Sequence, residues 1–359
     1  MTLVTKRITG IDYLYYQQNV KVENRNKVIT TFVGRKDLGG QKLKQAKQVA
    51  LLNHSINLYK ETSLIKKVNY HSERAKIDND FIEYIRVLYG IVINSMDPQE
   101  IREYEVDIFT RYVHGTTSIE GNPLSLGETQ TVLIDNLTPQ YKGVDEVISI
   151  HNYKLAKHYL DGYNGNINLT LIKRIHKILM NNVEENGIQI EAGKFRTSRA
   201  RGIPGVRHPK PEEIELELRN LNEWYEDSVQ KNLHPIEIAS VYHHRFERIH
   251  PFFEGNGRVG RSLLDLMFKR NGFPSIYITK KERDSYLNAL QNGDYENYEP
   301  LIKFIAERIL WTLTRVFLKS VLYEFIKSEE FRCFFGTYTE TEMYQTFMQQ
   351  LKIIEESED

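Results

Sequence analysis

The chain has 359 residues, 48 Lys and Arg against 48 Asp and Glu, 40% hydrophobic and 11% aromatic residues, and one cysteine. That length allows two or more domains, and that apolar content suffices for a real core. The balanced total gives no global field that recruits nucleic acid or membranes, and the lone Cys333 excludes an internal disulfide framework and suits a reducing compartment.

No apolar run opens the chain and none is long enough to span a bilayer. The expectation is a cytoplasmic, mainly helical protein with no membrane partner. In chain order, residues 8–36 read as strands, with Glu23-Asn24-Arg25-Asn26 as a hairpin turn between Val20-Lys21-Val22 and Val28 to Val33. Gly39-Gly40 breaks the chain. This gives a small N-terminal antiparallel β appendage over 1–38, a partner-binding unit or equally a flap that completes the core.

A helical N-terminal region follows over 39–99, with helices at 41–59 and 78–92. A further helix covers 101–112 and leads into Thr116-Thr117-Ser118-Ile119-Glu120-Gly121. Ser125-Leu126-Gly127-Glu128 has the form of a capping box. Amphipathic helices are expected at 144–160 and 169–182. They carry His151, His158 and His176, which lack zinc spacing and read as core-edge or surface residues.

The stretch 193–211 is dense in Gly and Pro and contains Arg196, Arg199, Arg201 and Arg207. Phe195 to Ile203 suits a short hairpin arm. A nucleic-acid reading of its charge lacks interleaved aromatics, so no nucleic-acid partner is expected. Pro211 opens a helix with Ile214, Leu218, Leu221 and Tyr225.

The most informative stretch is His250-Pro251-Phe252-Phe253-Glu254-Gly255-Asn256-Gly257-Arg258-Val259-Gly260-Arg261. A helix from Pro235 to Ile249 stops at Pro251. Gly255-Asn256-Gly257 permits positive φ at three successive positions. A second helix starts at Arg258, with Gly272 as its C-cap. Loop amides and the helix start form an anion site that Arg258 and Arg261 both reach. Glu254 beside phosphates would hold Mg²⁺. His250 at the rim suits a base near neutral pH. A glycine-containing helix turn with surface arginines is the plain alternative.

This stretch resembles the Fic family signature H-P-F-x-[D/E]-G-N-G-R-x-x-R at every specified position. The resemblance covers about 100–310 and implies a helical Fic-domain bundle with a β-hairpin flap, followed by a C-terminal helical region over 311–359. It implies transfer of AMP from ATP, with Mg²⁺, to a Ser, Thr or Tyr hydroxyl of a protein bound along the flap near Thr197 to His208. His250 is then the catalytic base. Gly255, Asn256, Gly257, Arg258, Gly260 and Arg261 hold the nucleotide, and Glu254 the metal.

Thr116, Glu120 and Gly121 fit the family's inhibitory motif [S/T]-x-x-x-E-[G/N], in which Glu120 would pair with Arg261 and keep it from the γ-phosphate. A plain helix end with an exposed Glu accounts for the same letters. Ser285 to Asp294 is similar to the segment that closes over adenine, with Tyr286 and Asn292 as candidates and Leu287 where a second Tyr is often seen. Relatives of this arrangement are often homodimers, so a homodimer is an expectation by analogy.

A long helical run from Tyr298 to Glu324 closes the domain, and the acidic tail after Ser328 shows no winged-helix pattern. The alternatives on the same site are hydrolysis of AMP from a modified protein, transfer of another phosphate-linked group, or a non-catalytic regulatory binder.

Overall fold

The computed structural model describes residues 1–22, 25–62, 70–79, 81–83, 86, 89–90, 93, 98–185, 188–200, 207–318 and 342–358. They fall into two compact units. The first comprises Met1–Tyr70, Asp78–Arg102 and Leu310–Asp359, and the second His71–Ile77 and Glu103–Ile309. Among the described residues no helix is long and apolar enough to cross a membrane.

In the first unit three antiparallel strands form one sheet in the order β1 (Thr2–Ile8), β2 (Ile11–Val22) and β3 (Arg25–Arg35). The strands expected over 8–36 are thus preceded by a further one, β1. Thr9 and Gly10 both take positive φ, 46° and 84°, so they form the tight two-residue turn that matches the twist of paired strands. The expected turn at residues 23–26 lies partly outside the described residues, and Arg25 and Asn26 already belong to β3. Helix α1 (Gly40–Thr62) covers one face of the sheet, where Leu14, Tyr16, Val33 and Ala50 are buried against one another. The expected helix at 78–92 falls largely outside the described residues. Helix α11 (Glu342–Glu358) belongs to this unit and packs Phe347 edge-on to Phe81, with ring centroids 5.9 Å apart.

The second unit is helical. In chain order it contains α2 (Pro98–Ile119, from Glu103), α3 (Leu126–Gln130), α4 (Val144–Asp161), α5 (Leu169–Leu179), α6 (Ile214–Gln230), α7 (Pro235–Ile249), α8 (Asn256–Arg270), α9 (Arg283–Gly293) and α10 (Glu299–Leu318, to Ile309). The capping box at Ser125 is present in both directions, with Ser125 Oγ accepting from Glu128 N and Ser125 N donating to Glu128 Oε2 at 2.7 Å.

The residues expected to form helix faces are those that fill the core: Ile172 and Ile175 on α5, Leu218 on α6, Phe246 on α7, Leu263 and Phe268 on α8, and Leu301 and Ile305 on α10. A two-residue hairpin, β4 (Glu184–Glu185) and β5 (Ile188–Gln189), precedes the basic stretch. The arm expected at Phe195 to Ile203 is not a strand over 195–200, and 201–206 lie outside the described residues.

Helices α7 and α8 pack most closely of the set. Gly260 makes this possible, because a β-carbon there would strike Glu247 Oε1 and lie 3.0 Å from the His243 ring. Gly272 takes φ 73° one residue beyond the C-cap Asn271, correcting its expected place as the cap. Phe273 N donates to Phe268 O and Gly272 N to Lys269 O, the paired bonds of a Schellman ending.

Segment 71–77 is tied to the start of α7. Glu237 is fully buried, 3.1 Å from Arg74 Nη1, and accepts from Glu73 N at 3.0 Å. Arg74→Ala leaves that carboxylate with backbone partners alone. Unfolding stability should drop by about 2–3 kcal/mol, read as a lower urea midpoint at unchanged slope; an unmoved midpoint refutes the anchor.

Candidate active site

Two helix ends meet at one loop. Helix α7 stops at Ile249 because Pro251 cannot continue it. His250 caps it in the left-handed region, at φ 50° and ψ 59°, with its N–H donating to Phe246 O at 3.1 Å. Such a backbone costs a residue with a β-carbon of the order of 1 kcal/mol or more, so surrounding contacts must hold it.

Three sets of contacts do so. Phe252 is fully buried and stacks on His176, with centroids 3.7 Å apart and planes within 5°. Asn256 staples the loop to itself, its Oδ1 accepting from Phe252 N and its Nδ2 donating to Phe252 O, both at 2.9 Å. The buried Arg196 side chain donates to His250 O (2.7 Å), Ser198 O (2.8 Å) and Pro209 O (2.7 Å). It therefore ties both flanks of the basic stretch to the loop, a role that nothing near Arg196 in the sequence signals.

His176 was expected to be an ordinary histidine, but it is a loop support. Its Nδ1 accepts from Gly193 N at 2.7 Å, so Nε2 carries the proton and donates to Glu254 O at 3.0 Å. No spacing in the sequence signals this, since the contacts come from two distant loops.

The glycine loop is tighter than three successive positive φ values. Only Gly255 is left-handed, at φ 80°. A β-carbon there would sit 2.5 Å from Met180 Sδ. Helix α8 begins at Asn256, two residues before the expected Arg258. Gly255 is its N-cap and offers no side-chain acceptor, so the first-turn N–H groups are left for an anion.

Glu120 brings its carboxylate to this turn. A β-carbon on Gly257 would lie 2.6 Å from Glu120 Oε1 and 2.8 Å from Arg261 Nη1, so the carboxylate rests on the first turn of α8. Arg261 Nη2 donates to Glu120 Oε1 at 2.5 Å and to Thr116 O at 3.1 Å, and Nε to Thr116 Oγ1 at 2.6 Å. Arg261 is 6% exposed. Burial alone would raise the Glu120 pKa, but Arg261, with Arg258 and Arg283, outweighs it and holds the carboxyl below its usual range. Gly121, at φ 98°, ends α2 in a second Schellman turn, with Asn122 N on Thr117 O and Gly121 N on Ser118 O. The segment is thus a helix end and a reach into the loop at once. Thr116, Glu120 and Gly121 all take part.

Arg258 turns toward Ser149 Oγ (3.3 Å) and Met180 Sδ (3.4 Å), and its Nε is buried without a partner. Tyr286 is 2% exposed and hydrogen-bonds His243 Nε2 at 2.5 Å, beneath Arg261, so it does not line an open base site. Asn292 is half-exposed near the end of α9 and donates to Asn288 O. Asp294 ties this end to α7 by binding His244 Nε2 at 3.0 Å and Arg248. The His250 Nδ1 lies 3.3 Å from Glu247 O, an acceptor only, so Nε2 presents the lone pair. Burial, then the neighbouring His208, lowers His250 to about 4. Its ring centroid is 5.0 Å from that of His208.

Residues 166–268 match the family model described as Fic/DOC family. Proteins named "Protein adenylyltransferase Fic" from Drosophila grimshawi and Drosophila melanogaster are 28% and 27% identical over 210 residues, 58% of this chain and 42% of each of those. The chain thus spans under half the length of these curated relatives. Two solved structures share the fold: a Fic domain containing signaling protein from Bacteroides thetaiotaomicron (TM-score 0.60, 20% identity, 66% of this chain and 95% of that one) and Fic-1 (aa134–508) from C. elegans (TM-score 0.60, 22% identity, 77% and 82%). Residues 166–268 thus resemble a Fic/DOC domain in sequence, and the fold is that of the two solved Fic structures.

The site has a pH signature. Burial first of all lowers His176, His243 and His250, to about 4, about 3 and about 4, and lowers His244 as well. Below the ordinary histidine value of 6.5 the unfolded chain then binds more protons than the folded one, so stability present above that value is lost as pH falls. Glu247, raised to about 7 by burial, acts in the opposite sense over the same window but is one group against four. The urea midpoint should therefore decline from pH 7 to pH 5, and less steeply in His176→Gln. An equal slope in that variant would remove His176 from the account.

Proposed function

We propose that this protein transfers AMP from ATP to a Ser, Thr or Tyr hydroxyl of a protein, and that Glu120 holds the site shut until it is displaced. One observation carries the reading. The Glu120 carboxylate sits on the first turn of α8 and on Arg261, where a phosphate would be held, beside an imidazole whose Nε2 is free of a proton. The curated relatives' name, protein adenylyltransferase, supports the reaction class.

The steps follow from the groups present. The hydroxyl oxygen attacks the α-phosphorus, forming one P–O bond while the bond to pyrophosphate breaks. His250 Nε2 takes the hydroxyl proton, and a pKa near 4 keeps it unprotonated at neutral pH, at the cost of weaker basicity. The first-turn N–H groups of α8 and Arg258 answer the charge of the departing pyrophosphate. Arg261 takes the γ-phosphate once Glu120 has left it.

Among the described residues no three His, Cys, Asp or Glu gather around one point, so a divalent ion would not be caged by protein alone. Glu254, half-exposed next to the left-handed Gly255, fits a Mg²⁺ that completes its shell with phosphate oxygens and water. Bound there, the ion would offset phosphate charge. A cavity of about 600 Å³ beside His208, lined by Pro209, Arg245, Arg248 and Glu296 among others, has room for a nucleoside. The target segment would lie along 197–208.

His250→Ala should lower labelling of protein by ATP carrying an α-phosphate label at least about a hundredfold, with an unchanged circular dichroism spectrum. Labelling that survives removes the base. Glu120→Gly should bind ATP more tightly and label itself faster; unchanged values in both assays remove the plug.

A further inference from the structure

The N-terminal sheet has two faces. Leu14, Tyr16 and Val33 turn toward α1 and are buried. The pleat sends alternate residues the other way. On that outer face the register sets Val4, Tyr15 and Phe32 in one row, Lys6, Tyr13 and Arg35 in the next, and Thr2, Gln17 and Thr30 on the other side. Phe32 is 55% exposed. Its ring centroid lies 5.4 Å from that of Tyr15, edge-on, and 5.9 Å from that of Tyr13. Lys6 Nζ stands 4.9 Å from the Tyr15 ring. Arg35 is fixed on Asp37, and Arg7 lies 3.8 Å from Asp12. Gln17 Nε2 donates to Thr30 Oγ1 at 3.1 Å.

The charge of this region differs from that of the chain. Residues 1–62 hold eleven Lys and Arg against four Asp and Glu, while the whole chain is balanced. At about 10 Å screening length in 0.1 M salt, a ligand on the sheet senses this local surplus rather than the total.

We propose that the outer face of β1, β2 and β3 binds single-stranded RNA. Tyr13, Tyr15 and Phe32 offer ring surface on which unpaired bases stack whatever their sequence. Lys6 and the surrounding cations meet the phosphates. The neutral amide and hydroxyls of Gln17, Thr30 and Thr2 form a row suited to a ribose 2′-hydroxyl, which DNA lacks. A duplex keeps its bases stacked internally and leaves the rings unused. The surface belongs to the first unit and the loop to the second, so this proposal and the proposed transfer are tested independently.

The test is fluorescence anisotropy of the whole 359-residue chain with a fluorescein-labelled oligouridylate of about ten nucleotides, its DNA counterpart and an RNA duplex, at 50 and 200 mM salt. Saturable binding that weakens with salt is expected. Tyr15→Ala with Phe32→Ala should weaken it about tenfold or more, and Phe32→Leu, which keeps apolar area without a ring, should weaken it in part. Tyr15→Phe with Phe32→Tyr should retain it, and Lys6→Gln should lower the salt slope by about one. Circular dichroism checks that each variant folds. Absence of binding, equal affinity for the DNA oligomer or a duplex, or indifference to loss of the rings would overturn the proposal. The last result would mark a response to charge alone, as an acidic protein surface also gives.

Discussion

The ion pair between Arg261 and Glu120 is the interaction around which the second unit is arranged. Arg261 is almost entirely buried, and a buried cation needs both a counter-charge and hydrogen bonds. Thr116 supplies two acceptors and Glu120 the charge. The partners come from α2 and the reach just beyond it, so a residue far away in sequence completes a cluster that the loop and α8 begin. The Schellman ending at Gly121 sets the direction of that reach, and Gly257 makes room for the carboxylate. Substituting a larger residue for Gly257 would displace the Glu120 carboxylate and disturb the first turn together.

The loop beside this pair is rigid for a physical reason. His250 occupies a backbone region that residues with a β-carbon avoid, and it does so because contacts from other elements over-determine it. Phe252 is clamped between His176 and Phe195, Asn256 closes a ring on Phe252, and Arg196 binds the carbonyl of His250 itself. Each device holds the backbone and leaves the imidazole edge unspent. Preorganisation of this kind lets fixed dipoles act on developing charge without reorganising at the moment of reaction.

The signature was legible because its chemistry is local. His250, Glu254 and the two arginines lie within a dozen residues, and the helix breakers between them fix the order helix, loop, helix. The capping box at Ser125 and the stripes of α5 and α7 were legible for the same reason, since both are short-range patterns. Contacts between distant segments were not legible in local pattern, and the Glu120–Arg261 pair was expected through the family resemblance alone. Nothing adjacent to His176 announces Phe252, and the charge of Arg196 hides its use as a staple. Tyr286 resembled a base contact but is turned into the core by His243. Strand β1 escaped because its turn, Thr9-Gly10, lacks the usual Asn or Asp at its first position.

The burial of Arg261 also limits how the site can open. Withdrawing Glu120 without replacement would leave Arg261 as an uncompensated buried charge, a cost of about 3–5 kcal/mol. Another acid near Arg261 is Glu247, and burial has already raised it to about 7. At neutral pH it is therefore only partly ionised, and it offers a fraction of a counter-charge. A polyphosphate brings more negative charge than the glutamate it displaces, and it can meet the first-turn amides of α8 as well as Arg261. On the proposed reading, exit of Glu120 and entry of the γ-phosphate are one exchange of anions rather than an opening followed by binding. The strength of inhibition then depends on how firmly the end of α2 holds its Schellman turn, since that turn decides how far Glu120 can withdraw while the cation is being handed over.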